Sequence, residues 1–199
     1  MGKNELSVRE PWQDYSGEHA SHAERNFYRV FNNYFQGTDF RIREKPKELR
    51  NIYVDYPLPP EIESDIYHPD EPIVHHGISP DYAIESVVSS KILYVEVKRQ
   101  DGWIEGKSRS AGRGNAHERA CKLFTPGLIN TYRQYGNIQP PALPFWIVFQ
   151  GDITRDPCRV REIHFWFRGP SPHFFLWNDK MTDQNIIEHF DKYLRSLLL

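Results

Sequence analysis

Ile92-Leu93-Tyr94-Val95-Glu96-Val97-Lys98 alternates with a period of two, and no other stretch limits the possible folds of this chain so tightly. A β-strand lays Leu93, Val95 and Val97 on one face. It puts Glu96 and Lys98 together on the other, about 7 Å apart along the strand. Pro80-Asp81 stands upstream, with fourteen residues between Asp81 and Glu96. Asp81-Tyr82-Ala83-Ile84 is a second short alternating run, and Ser89-Ser90 suits a tight turn between the two. The predicted antiparallel pair brings the Asp81 and Glu96 carboxylates close, with the Lys98 amine beside them. Two hard oxygen ligands suit Mg²⁺, which keeps several waters and takes one or two carboxylates. An adjacent lysine can orient or deprotonate one such water, which completes the parts for metal-assisted phosphodiester hydrolysis. Taken alone, the same residues also describe an ordinary surface hairpin with a Glu-x-Lys edge.

The flanking charge pattern separates these readings. From Lys98 to Arg133 the cations are Lys98, Arg99, Lys107, Arg109, Arg113, Arg119, Lys122 and Arg133, against Asp101, Glu105 and Glu118. Between Asn51 and Ser90 there is no Lys or Arg, but there are eight acids. A formal net charge of −2 says nothing about a polyanionic partner, whereas this local segregation does. Cations gathered at one place release counterions when they meet phosphates. Within the basic stretch, Gly112 and Gly114 flank Arg113 and let the backbone follow a groove closely. Asn115 and Glu118 read as a capping box opening a helix over Ala116 to Phe124. Thr125-Pro126-Gly127 interrupts it, and it resumes over Leu128 to Tyr135. Arginine and asparagine are residue types that read guanine and adenine edges in the major groove. A capped helix behind a flexible loop explains Asn115 and Glu118, but not the glycine-flanked Arg113.

At these residues the chain resembles type II restriction endonucleases of the EcoRI group, and most closely its MunI-like branch. Gly114-Asn115-Ala116-His117-Glu118-Arg119 is similar to the main part of that group's signature, which follows its Asp and Glu-x-Lys residues. Lys98 to Trp103, Ser110 to Arg119, Cys121 to Leu128, Gly151 to Pro157 and the opening Met1-Gly2-Lys3 resemble the MunI-like branch in particular.

The resemblance implies a restriction-endonuclease-like PD-(D/E)xK core, an α/β fold with a mixed central sheet flanked by helices. It implies a Mg²⁺-dependent homodimer that cuts double-stranded DNA at C^AATTG and leaves 5′ AATT overhangs. Mn²⁺ would substitute, and Ca²⁺ would support binding only. Asp81 and Glu96 would hold the metal with the Val97 carbonyl, and Lys98 would position or activate the attacking water. Arg113 would read the outer pair, and Asn115, Ala116 and Arg119 the inner A·T pairs. Gly114 lies in the same contact segment, and His117 would touch phosphate or face solvent. A cognate DNA methyltransferase in the same prokaryotic cytoplasm is implied, without direct contact.

The remaining sequence is consistent with one nuclease domain over 1–199, with 1–20 as an irregular arm. Neither an apolar leader nor a run of 18 apolar residues occurs, so neither export nor membrane insertion is expected. Cys121 and Cys158 show no pairing pattern, as in a reducing compartment. His19, His22 and His75-His76 lack partners at zinc-site spacing. Trp103 is expected as a packed anchor. Ser21 caps a helix with the stripe Ala23, Phe27, Val30, Phe31 and Tyr34. Short strands are predicted at Phe40–Arg43, Phe145–Phe149, Arg161–Phe167 and Phe174–Trp177, with loop or short helix over the proline-rich span 57–72. A final helix capped by Thr182 or Asp183 carries the stripe Ile186, Ile187, Phe190, Tyr193, Leu194 and Leu197. Two other functions fit the same core: a repair or junction-resolving nuclease that reads shape, and a silent sequence-specific DNA-binding protein.

Overall fold

The computed structural model describes residues 24–102, 104–107 and 117–199. The expected N-terminal arm, the Ser21 cap, Trp103 and the expected base-contacting Arg113, Gly114, Asn115 and Ala116 lie outside them. Five strands form one mixed sheet in the order β1 to β5: β1 (Phe40–Glu44), β2 (Tyr82–Ser86), β3 (Ile92–Arg99), β4 (Phe145–Gln150) and β5 (Phe174–Trp177). β2 runs antiparallel to both β1 and β3, and β3, β4 and β5 are parallel. Parallel neighbours need long crossovers, and helices supply them. α3 (Pro126–Gly136) lies between β3 and β4, and α4 (Pro157–Trp166) between β4 and β5.

The period of two in β3 sorts the core into two layers. Leu93, Val95 and Val97 join Trp146 and Val148 against α1 (residues 24–34) and the C-terminal helix, through Phe27, Phe31, Ile186, Phe190, Leu194 and Leu198. Tyr94 turns the other way, with Ala83, Phe145, Ile147 and Phe149, under Leu128, Tyr132, Ile163 and Phe167. β4 is buried along its whole length, as its unbroken apolar run requires. α3 packs so closely on the start of β3 that any side chain at Gly136 would collide with the Ile92 carbonyl. Asn137 then ends α3 in the left-handed region, its N–H donating to the Arg133 carbonyl at 2.8 Å. The acidic span near 57–72 contributes only α2 (Pro60–Glu63), one turn with no buried residue.

Three expectations need correction. Arg161–Phe167 is not a strand but the end of α4 and its cap. The Asp156 carboxylate accepts from Cys158 N and Arg159 N at 2.9 and 3.0 Å, and Pro157 takes the first helical position, so a helix is nucleated there. Ile163 and Phe167, four apart, are buried, whereas Phe165 between them is 72% exposed. Glu118–Phe124 is a 3₁₀ helix rather than α-helix, burying Ala120 and Leu123 at its three-residue repeat. Pro126 forces Thr125 extended (φ −72°, ψ 143°), which isolates that short run from α3. After α5 (Asp183–His189), a π turn over Phe190–Leu194 moves the stripe onto Leu198 and leaves Tyr193 exposed.

Candidate active site

Hairpin register builds the site. Tyr82 pairs with Val95, so Asp81, one residue before β2, comes opposite Glu96. The Asp81 Oδ2 atom accepts from the Val97 N–H at 2.9 Å, a main-chain contact that fixes the carboxylate against β3. Lys98 Nζ lies 3.4 Å from the same Oδ2 and donates to Glu96 Oε2, as the shared face of positions 96 and 98 dictates. One ammonium therefore gathers both acids. Asp81 and Glu96 are 7% and 5% exposed, well beyond the burial expected of carboxylates without a partner.

Their environments split the two carboxyls. Burial acts to raise Asp81, but the ammonium groups of Lys98 and Lys45 and the Val97 N–H outweigh it and hold Asp81 below the usual range. Burial pushes Glu96 up, and the Asp81 charge adds to it against the pull of Lys98. Lys98 loses hydration by burial but is held above its ordinary value by Glu96 and Asp81. The result is a low acid, a high acid and a charged amine in one corner of the sheet.

Sequence reading missed two neighbours. Lys45 follows β1, whose Glu44 pairs with Tyr82, and this places its Nζ 2.7 Å from Asp81 Oδ1. Tyr132 on α3 is buried, and its hydroxyl has no hydrogen-bond partner among the described residues. Burial and the charge of Glu96 hold its phenol far above the usual range. Asp81 and Glu96 are hard oxygen donors of the kind Mg²⁺ takes with several waters, and among the described residues no group of three or more His, Cys, Asp or Glu gathers that could hold a metal ion.

The expected DNA-facing residues divide. Arg119 is exposed on the 3₁₀ helix, and Lys122 beside it is exposed and acts electrostatically on Glu96. His117 points inward instead. It is fully buried, stacks on Trp166 with ring centroids 5.5 Å apart, and places Nε2 3.0 Å from Glu162 Oε2. Arg159 holds the same carboxylate at 2.9 Å. Burial lowers the His117 imidazole, with the Arg159 charge adding to it, so it is biased toward the neutral form.

Known proteins match the chain over its full length. The family described as type II restriction enzyme MunI matches residues 1–199. The chain belongs to that family. The type II restriction enzyme MunI of a Mycoplasma species is 51% identical over 201 residues, covering 100% of both chains. The crystal structure of MunI restriction endonuclease in complex with cognate DNA matches with a TM-score of 0.81 and 49% identity, over 98% of this chain and 100% of that one. The MunI-family fold thus carries the mixed sheet seen here, and the chain is a site-specific endonuclease that acts on double-stranded DNA. Among the described residues, no helix is long and apolar enough to cross a membrane.

Proposed function

We propose that this chain is a homodimeric, Mg²⁺-dependent endonuclease that cuts C^AATTG within double-stranded DNA and leaves 5′ AATT ends. The observation that supports it best is the convergence of Asp81 and Glu96 on Lys98 at the hairpin, within a chain of the MunI family. Asp81, Glu96 and the Val97 carbonyl would hold Mg²⁺, which when bound supplies Lewis-acid stabilisation of charge on the phosphoryl oxygens. Mn²⁺ would replace it, and Ca²⁺ would support binding alone. Lys98, already a donor to both acids, orients the attacking water in line with the departing 3′ oxygen. The products carry a 5′ phosphate and a 3′ hydroxyl.

Base reading is assigned to the segment after Lys98 and to the first turn of the 3₁₀ helix. Arg113 reads the outer guanine, and Asn115, Ala116 and Arg119 address the inner A·T pairs, with Gly114 allowing close approach. A palindrome requires two copies of this surface related by a two-fold axis. All 199 residues form one nuclease domain in this reading, working in a prokaryotic cytoplasm beside a cognate methyltransferase. Digesting mapped DNA with Mg²⁺ and sequencing the ends tests the proposal. Cuts confined to CAATTG support it. Cuts set by branched shape would mark a repair nuclease, and binding without cutting a silent regulator.

A further inference from the structure

Asp81 holds two cations, one on each oxygen, and only one of them comes from the catalytic strand. Oδ2 is committed to the Val97 N–H at 2.9 Å and to Lys98 at 3.4 Å. Oδ1 faces Lys45 Nζ at 2.7 Å, and the same Nζ lies 3.4 Å from Glu24 Oε2 on α1. Lys45 reaches in from the solvent side: its side chain is 54% exposed, against 10% for that of Asp81. The base of Lys45 is fixed while its tip is not. Its backbone N–H donates to the Asp81 carbonyl at 3.0 Å, at a left-handed φ of 43° in the bend after β1. Lysine is a compact point charge on a flexible stem, so its head can move between two acceptors while the backbone stays in place.

We propose that Lys45 is a tethered counter-ion that competes with a divalent cation for the Asp81 carboxylate, and that Glu24 would take up its ammonium on metal entry. The inference rests on the reading of Asp81 and Glu96 as a divalent-metal site. Like charges compete for one oxygen, and an ion pair with one partner half in water is weak enough to exchange. With Lys45 in place, Asp81 is neutralised locally and the site stays ordered without metal. Glu24 gives the displaced ammonium a second acceptor and lowers the cost of its departure. Lys45 is thus a positioning residue that sets the metal threshold rather than one that touches the reacting atoms.

The test is a Mn²⁺ titration of the full-length, DNA-free protein, followed by the loss of the free-ion signal in electron paramagnetic resonance. Lys45→Met is expected to tighten Mn²⁺ binding about two- to fivefold, the scale of a half-exposed ion pair. Glu24→Gln, which strands the ammonium on Asp81, is expected to weaken it by about twofold. Equal affinities in all three proteins, weaker binding by Lys45→Met, or no binding in any of them would overturn the proposal. Asp81→Asn separates the two layers of argument. Unchanged Mn²⁺ binding in that variant removes the metal site itself. Lost binding there, with Lys45→Met unchanged, removes only the counter-ion.

Discussion

Two polar clusters, one at Lys98 and one at His117, lie on either side of the proposed base-reading segment, and they are built differently. The Asp81–Glu96–Lys98 corner is held by strand register and a main-chain N–H, with both carboxylates tied to one sheet. The His117–Glu162–Arg159 cluster joins a 3₁₀ helix to α4 through side chains alone, with Trp166 stacked on the imidazole. The proposed chemistry thus sits on paired strands, where register and a main-chain hydrogen bond fix the carboxylates. His117, at the start of the 3₁₀ helix, is held instead by side-chain contacts to α4 that can be loosened one at a time. Cleavage and recognition should therefore be separable by mutation.

Asp81→Ala gives the sharpest break. Cleavage of supercoiled plasmid should fall by about a thousandfold or more, the scale of several kcal/mol of lost charge stabilisation, while DNA binding survives. Turnover retained in this variant would take Asp81 out of the site. Arg113→Ala should leave the chemistry intact but narrow discrimination at the outer pair by about 1–3 kcal/mol, measured on substrates altered only there. Unchanged discrimination would assign that pair to another side chain.

Metal should matter to binding as well as to cutting, because two acids approach a phosphate. Ca²⁺ should strengthen binding to CAATTG by about tenfold near neutral pH, seen by fluorescence anisotropy on labelled duplex. Since Glu96 is raised, it takes up a proton at higher pH than an ordinary carboxyl, so acidification should shrink the Ca²⁺ advantage. An advantage that grew on acidification would contradict this assignment of the high acid. The smallest effect is expected from Glu162→Gln. Its carboxylate is 39% exposed, so thermal unfolding should show a loss of about 0.5–1 kcal/mol. DNA affinity should fall with it while metal binding stays unchanged; a loss of metal binding would show that the two clusters are not independent.

Local patterning carried most of the geometry of the candidate site. The alternation through Ile92–Lys98 put Glu96 and Lys98 together, and a hairpin of ordinary length brought Asp81 across from them. Lys45 escaped because it reaches Asp81 through pairing of β1 with β2, which are distant in sequence and linked by no turn signal. One misreading produced another. Taking Arg161–Phe167 as a strand ignored the Asp156-Pro157 helix start, and α4 is the element that supplies Glu162, Arg159 and Trp166 to His117. With its partners hidden, His117 looked like a surface residue. The moved stripe at the C-terminus had no sequence warning, since a π turn changes phase without any marker residue.

The period of two in β3 also protects against stray cutting by an enzyme that acts on double-stranded DNA. Slippage of the hairpin by a single rung would swap every side chain to the opposite face, bringing Val95 and Val97 to the cutting corner and driving Glu96 and Lys98 among phenylalanines. Such a chain could neither pack nor cut. Misfolded copies are thereby disarmed by the same rule that arms the correct one.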